Sequence, residues 1–91
     1  MKTKDKIDLM EEAWELWGEA SQLKMAIEEC AELIVAIAKY DRKINGSLLE
    51  DIAEEIADVE LSLEQVKRMK GITEIVNSWR IKKLKRLEIL L

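Results

Sequence analysis

Apolar residues recur along the chain with a helical period. Leu23, Ile27, Cys30, Ile34 and Ile37 step by four and three. Leu49, Ile52, Ile56 and Leu63, with Val59 beside them, follow a similar rhythm further on. Such steps place apolar side chains on one face of a helix. Gly18, Gly46 and Gly71 punctuate the chain at even intervals, and glycine is the usual residue just past a helix end. The pattern predicts four helices, over about 4–17, 20–43, 48–70 and 73–89. Asn45-Gly46 reads as the stop of the second helix, Ser47-Leu48-Leu49-Glu50 as a capping box that opens the third, and Thr73 as the cap of the last. The short turn between the second and third helices predicts an antiparallel central hairpin. The second helix is apolar on more than one side, because Met25, Ala31, Val35, Ala36 and Ala38 lie off its main stripe. A helix apolar nearly all round is a buried helix, which in so short a chain asks for a second subunit.

Composition agrees with an all-α fold. Of 91 residues, 48% are hydrophobic and 37% charged, and proline is absent. A chain of this length is one domain at most, and it buries only about 60% of its unfolded surface. With no histidine and one cysteine, an imidazole base, a Cys₂His₂ zinc site and an intrachain disulfide are excluded. A single free thiol suits a reducing compartment. No apolar run approaches a membrane span, and the first eight residues are too polar for a signal peptide, so the expected location is cytoplasmic.

Charge is unevenly spread. Residues 28 to 64 carry eleven acids against Lys39, Arg42 and Lys43, a balance of −8, whereas residues 79 to 91 carry five bases against Glu88, a balance of +4. The overall charge of −4 argues against a general nucleic-acid binder, since holding a phosphate backbone takes net positive surface.

The acids are not scattered at random. Glu29 and Glu32 are three residues apart, as are Glu55 and Asp58, so each pair projects from one side of its helix. In an antiparallel hairpin, residues with equal index sums face each other. Glu29 with Asp58 and Glu32 with Glu55 share the sum 87. All four carboxylates are therefore expected at one height, about 17 Å from the turn. On this reading they flank an apolar seam through Cys30 and Ile56. Clustered carboxylates repel, and some must protonate unless a cation joins them. An all-oxygen donor set selects a hard ion, Mg²⁺ or Mn²⁺.

These motifs resemble the all-α nucleoside triphosphate pyrophosphohydrolase superfamily, in particular its MazG-like branch. That pattern is Glu-Glu-x-x-Glu, a spacer of some twenty residues, then Glu-x-x-Asp. Here Glu28-Glu29-Cys30-Ala31-Glu32 is followed, after 22 residues, by Glu55-Ile56-Ala57-Asp58. The flanks are also similar: Lys24 one turn before the first motif, Glu54 to Glu60 around the second, Gly71-Ile72, and the closing Lys83-Leu84-Lys85-Arg86-Leu87. The resemblance covers roughly residues 20 to 88. It implies a four-helix MazG-like bundle, a homodimer or dimer of dimers, and Mg²⁺-dependent cleavage of a nucleoside triphosphate between the α and β phosphates. It implies Glu29, Glu32, Glu55 and Asp58 as metal ligands. Glu28 is either a residue touching the site through water or a surface residue.

Without histidine, any protein base must be a carboxylate, from Glu28 or the set Glu29, Glu32 and Glu55. Lys24, Lys83 and Arg86 are the candidate phosphate-binding cations, with surface solvation as their ordinary alternative. Trp14, Trp17 and Trp79 either stack on a nucleobase or fill core and interface; the base pocket itself is not identified. Glu60 and Lys67 fall on the apolar stripe of the third helix, so that face meets a polar element or a partner subunit. Two other readings compete. One is a phosphoribosyl-ATP pyrophosphohydrolase, although that enzyme's Tyr-His stretch is replaced here by Val59-Glu60-Leu61-Ser62. The other is a non-catalytic helical oligomerisation or nucleotide-binding module.

Overall fold

The computed structural model describes residues 5 to 91 except 45 and 47. It contains four helices and, among the described residues, no strand: α1 (Lys6–Trp17), α2 (Glu19–Asp41), α3 (Leu49–Lys70) and α4 (Thr73–Leu90). No helix is long and apolar enough to cross a membrane among the described residues.

Local chemistry sets the ends. The Asp5 carboxylate caps α1 by accepting from the Asp8 amide at 2.9 Å. Gly71 closes α3 in the left-handed region at φ 63°, and the Ile72 amide reaches back to the Lys67 carbonyl at 3.0 Å, which satisfies an orphan carbonyl of the last turn. Three expected ends differ. α2 stops at Asp41, and the residue that turns the chain is Lys43, left-handed at φ 56°; the Ile44 amide then bonds the Lys39 carbonyl at 3.1 Å. At the start of α3, the Asp51 carboxylate, not Glu50, accepts from the Leu48 amide at 2.9 Å; Ser47 and Asn45 lie outside the described residues. Thr73 is the first residue inside α4, and Ile72 holds the cap position with no side-chain cap bond.

The hairpin of α2 and α3 is the body of the fold, and α1 packs beside α2 at the end away from the hairpin turn. Gln65 on α3 donates to the Met10 carbonyl at 3.2 Å, and Lys70 pairs with Glu19 at 3.5 Å. On α3 itself, Glu64 pairs with Lys67 at 3.0 Å and Arg68 at 2.9 Å.

The seam between α2 and α3 is not the expected one. The α2 residues turned toward α3 include buried Gln22 and Ala26 and half-buried Glu29, Leu33 and Ala36. The α3 residues that meet them include half-buried Ile52, Glu55, Ser62 and Val66 and buried Val59. Ile27 and Ile34, placed in the core by periodicity alone, are 70% and 68% exposed. Leu49, Ile56 and Leu63 are exposed as well. The reason is that α2 carries two parallel stripes one residue apart. Small Ala26 and Ala36 let the backbones approach, so their stripe takes the inner position and the bulky stripe turns outward. One residue is 100° of rotation. Because the helices are antiparallel, the outward stripes of α2 and α3 emerge on the same side of the hairpin. That face carries Ile27, Ile34, Ile37, Ile56 and Leu63, with Glu60 among them.

α4 buries no residue and touches mainly the end of α3. The radius of gyration is 16.3 Å, against about 12 Å for a compact domain of this length. The accessible surface is 7611 Å², against about 5,500 Å² for a compact monomer of the same mass.

Candidate metal centre

Glu29 and Glu55 occupy the inner seam, and Glu32 stands one turn further along α2 on its flank. One carboxylate oxygen of each lies within 4.8 Å of the others. Two helices thus bring three acids to one point at mid-height of the hairpin. Asp58 is half-buried and stands outside this close group, but its charge reaches both Glu29 and Glu55. Three of the four motif acids therefore converge as their spacing predicts, and Asp58 acts on Glu29 and Glu55 by its charge alone. Their setting is not the expected one: Glu29 and Glu55 sit on the seam, while Ile56 lies on the outer face and Cys30 is half-buried.

Burial has electrostatic consequences. Loss of hydration raises the Glu29 pKa above its ordinary value, and the charges of Glu32, Asp58 and Glu28 raise it further. Glu55 is raised for the same reasons, with burial first and then Glu32, Asp58 and Glu29. One oxygen of Glu29 and one of Glu55 are fully covered and find no hydrogen-bond donor among the described residues. Covered acceptor oxygens without donors are costly, and an oxygen-seeking cation relieves both that cost and the repulsion. The donor set therefore fits a hard divalent ion.

Beside these acids, on the hairpin side bearing Glu32, lies a cleft of about 540 Å³. Glu32 and Glu55 line one end, and Lys39, Ile44 and Asp51 the other, with Val35 and small alanines between. Lys39, Asp51 and Glu54 line it without having been singled out by motif. The usable signal for Lys39 is its spacing of seven from Glu32, which returns it to the same helix face.

Other expected site residues lie elsewhere. Glu28 is exposed on α2, and its charge contributes to the raised Glu29. Lys24 is exposed and about 160° round α2 from the seam. Lys83 lies 5.9 Å from the centre of the Trp79 ring, and Arg86 is exposed on α4; neither lines the carboxylate cleft. Nor do the tryptophans. Trp14 is half-buried beside Arg68 and Gly71, whereas Trp17 and Trp79 are more than half exposed, so those two do not fill the core of this chain.

Comparison with known proteins finds no matching family model, no matching curated protein and no matching solved structure.

Proposed function

We propose that this chain is a Mg²⁺-dependent nucleoside triphosphate pyrophosphohydrolase of the MazG-like all-α type. The observation that carries the reading is the convergence of Glu29, Glu32 and Glu55 within 4.8 Å, two of them with a covered oxygen that no donor among the described residues satisfies. Asp58 completes the set as its fourth acid. Bound there, Mg²⁺ or Mn²⁺ supplies Lewis-acid polarisation of the phosphate and neutralises charge between a triphosphate and an acidic wall.

The chain's own residues do the rest. Glu29, Glu32, Glu55 and Asp58 hold the oxygens of the site at fixed positions. Glu28, outside the converging three, takes the proton of the attacking water. The new bond forms between that water's oxygen and the α-phosphorus, and the bond from the α-phosphorus to the α–β bridging oxygen breaks. A nucleoside monophosphate and pyrophosphate result. Such a reaction suits removal of surplus or non-standard nucleotides in the cytoplasm.

The reading includes a homodimer or a dimer of dimers. Its support is the outward apolar face of the hairpin and a surface about 2,000 Å² larger than that of a compact monomer, which is the scale an obligate interface covers. A second copy laid on Ile27, Ile34, Ile56 and Leu63 makes a four-helix core from two hairpins.

The test is pyrophosphate release from a panel of canonical and modified nucleoside triphosphates with Mg²⁺. Release is expected, and Glu29→Gln and Asp58→Asn are expected to remove it while helical circular dichroism persists. Absence of release from every nucleotide in the panel overturns the proposal.

A further inference from the structure

The carboxylate cleft has one cation among the described residues that line it, Lys39. It sits two helical turns beyond Glu32, about 10 Å along α2 and within ~20° of the same direction. Lys39 is exposed and forms no ion pair with a described residue, so its ammonium is free to meet a ligand. The other charged residues of the cleft are Glu32, Asp51, Glu54 and Glu55, all acids. A polyanion entering this cleft meets attraction among its described residues only at Lys39, and at a cation if the carboxylates hold one as proposed. An extended lysine reaches about 6 Å from its Cα, so along the helix axis its ammonium can stand anywhere from about 4 to about 10 Å from the level of Glu32, a range that spans a diphosphate. The walls between, Ala31, Val35, Ala36 and Ile44, are apolar and offer no competing charge.

We propose that Lys39 anchors the leaving pyrophosphate, so that the β and γ phosphates run along this cleft toward the α2–α3 turn and the nucleoside projects the other way. This rests on the pyrophosphohydrolase reading and names the subsite it lacks. The lysine donates to oxygens that gain charge as the α–β bond breaks, while the attacking water approaches from the opposite side of the α-phosphorus.

The experiment uses the full chain and two probes, pyrophosphate and a nucleoside monophosphate, each titrated calorimetrically with Mg²⁺ present. Lys39→Met is expected to weaken pyrophosphate binding about tenfold to a hundredfold, the effect of losing one charge-assisted hydrogen bond. Monophosphate binding is expected to stay within twofold, and Lys39→Arg to restore most of the pyrophosphate affinity. Unchanged circular dichroism and unchanged Mn²⁺ binding identify a folded variant with its acids intact. If monophosphate binding falls and pyrophosphate binding does not, Lys39 faces the nucleoside and the proposal is overturned. It is equally overturned if neither changes. Lysine-dependent pyrophosphate binding in a protein that hydrolyses no triphosphate sustains the subsite and removes the proposed activity, so the two failures are distinct.

Discussion

Ile34 offers the sharpest test of the proposed second copy. It is 68% exposed on the outer face of the hairpin, where nothing among the described residues buries it. Ile34→Ala removes three carbons, each worth about 0.8 kcal/mol when buried. Scaled by the exposed fraction, the loss is about 1.6 kcal/mol per copy if a partner covers the site. A two-fold interface counts it twice, giving about 3 kcal/mol and a roughly 200-fold weaker dimer. Sedimentation equilibrium over a concentration series measures this directly. Leu16→Ala, which trims a comparably exposed side chain on α1 (71%), is the control and is expected to leave the association constant within about twofold. The proposed dimer fails if the wild-type chain sediments as a monomer at ~100 µM, well above the dissociation constants of stable dimers. It also fails if neither Ile34→Ala nor Ile27→Glu shifts the equilibrium.

Other outcomes follow from the site and the turns. Both Glu29 and Glu55 have raised pKa values from burial and neighbouring carboxylates, so the folded chain holds more protons than the unfolded one above their ordinary range. Their contribution to stability is therefore largest at low pH and declines as pH rises from about 4.5 through the raised values. In EDTA, Glu55→Gln is expected to flatten that decline in a thermal melt, and an unchanged slope refutes it. Adding Mg²⁺ to a hundred times its dissociation constant is expected to stabilise the wild type by about 2.7 kcal/mol, a rise of ~10–20 °C in Tm, and to leave Glu29→Gln unmoved. Lys43 is left-handed without being glycine; Lys43→Gly is expected to add about 1 kcal/mol, read as the midpoint of a urea titration, and a lower midpoint contradicts the turn described. Gln22 is 4% exposed and its amide nitrogen finds no acceptor among the described residues; Gln22→Met is expected to raise stability by about 1–2 kcal/mol, and a loss instead reveals a hydrogen bond the fold depends on.

Four helices were legible because glycine and a helical period are local signals. Gly71 ends α3 where the pattern puts it. The meeting of Glu29, Glu32 and Glu55 was legible too, since a short hairpin fixes which residues lie opposite. What periodicity did not resolve was which of two adjacent stripes on α2 meets α3. Hydropathy favours the stripe through Ile27 and Ile34, but backbone approach favours the one through Ala26 and Ala36, and the latter contains Glu29. Lys39 carried only a faint signal, its spacing of seven from Glu32, for a different reason. A lysine in the last turn of a helix answers the helix dipole by itself, and only the cleft shows that it shares a space with Glu32.

The placement of Glu29 and Glu55 on the inner seam makes the hairpin a clip with a sprung waist. Apolar contacts hold its two ends, and like charges push its middle apart. If a divalent ion holds these acids as proposed, its removal is expected to loosen the two rods first at mid-length, where amide hydrogens would exchange soonest, and its return to draw them shut.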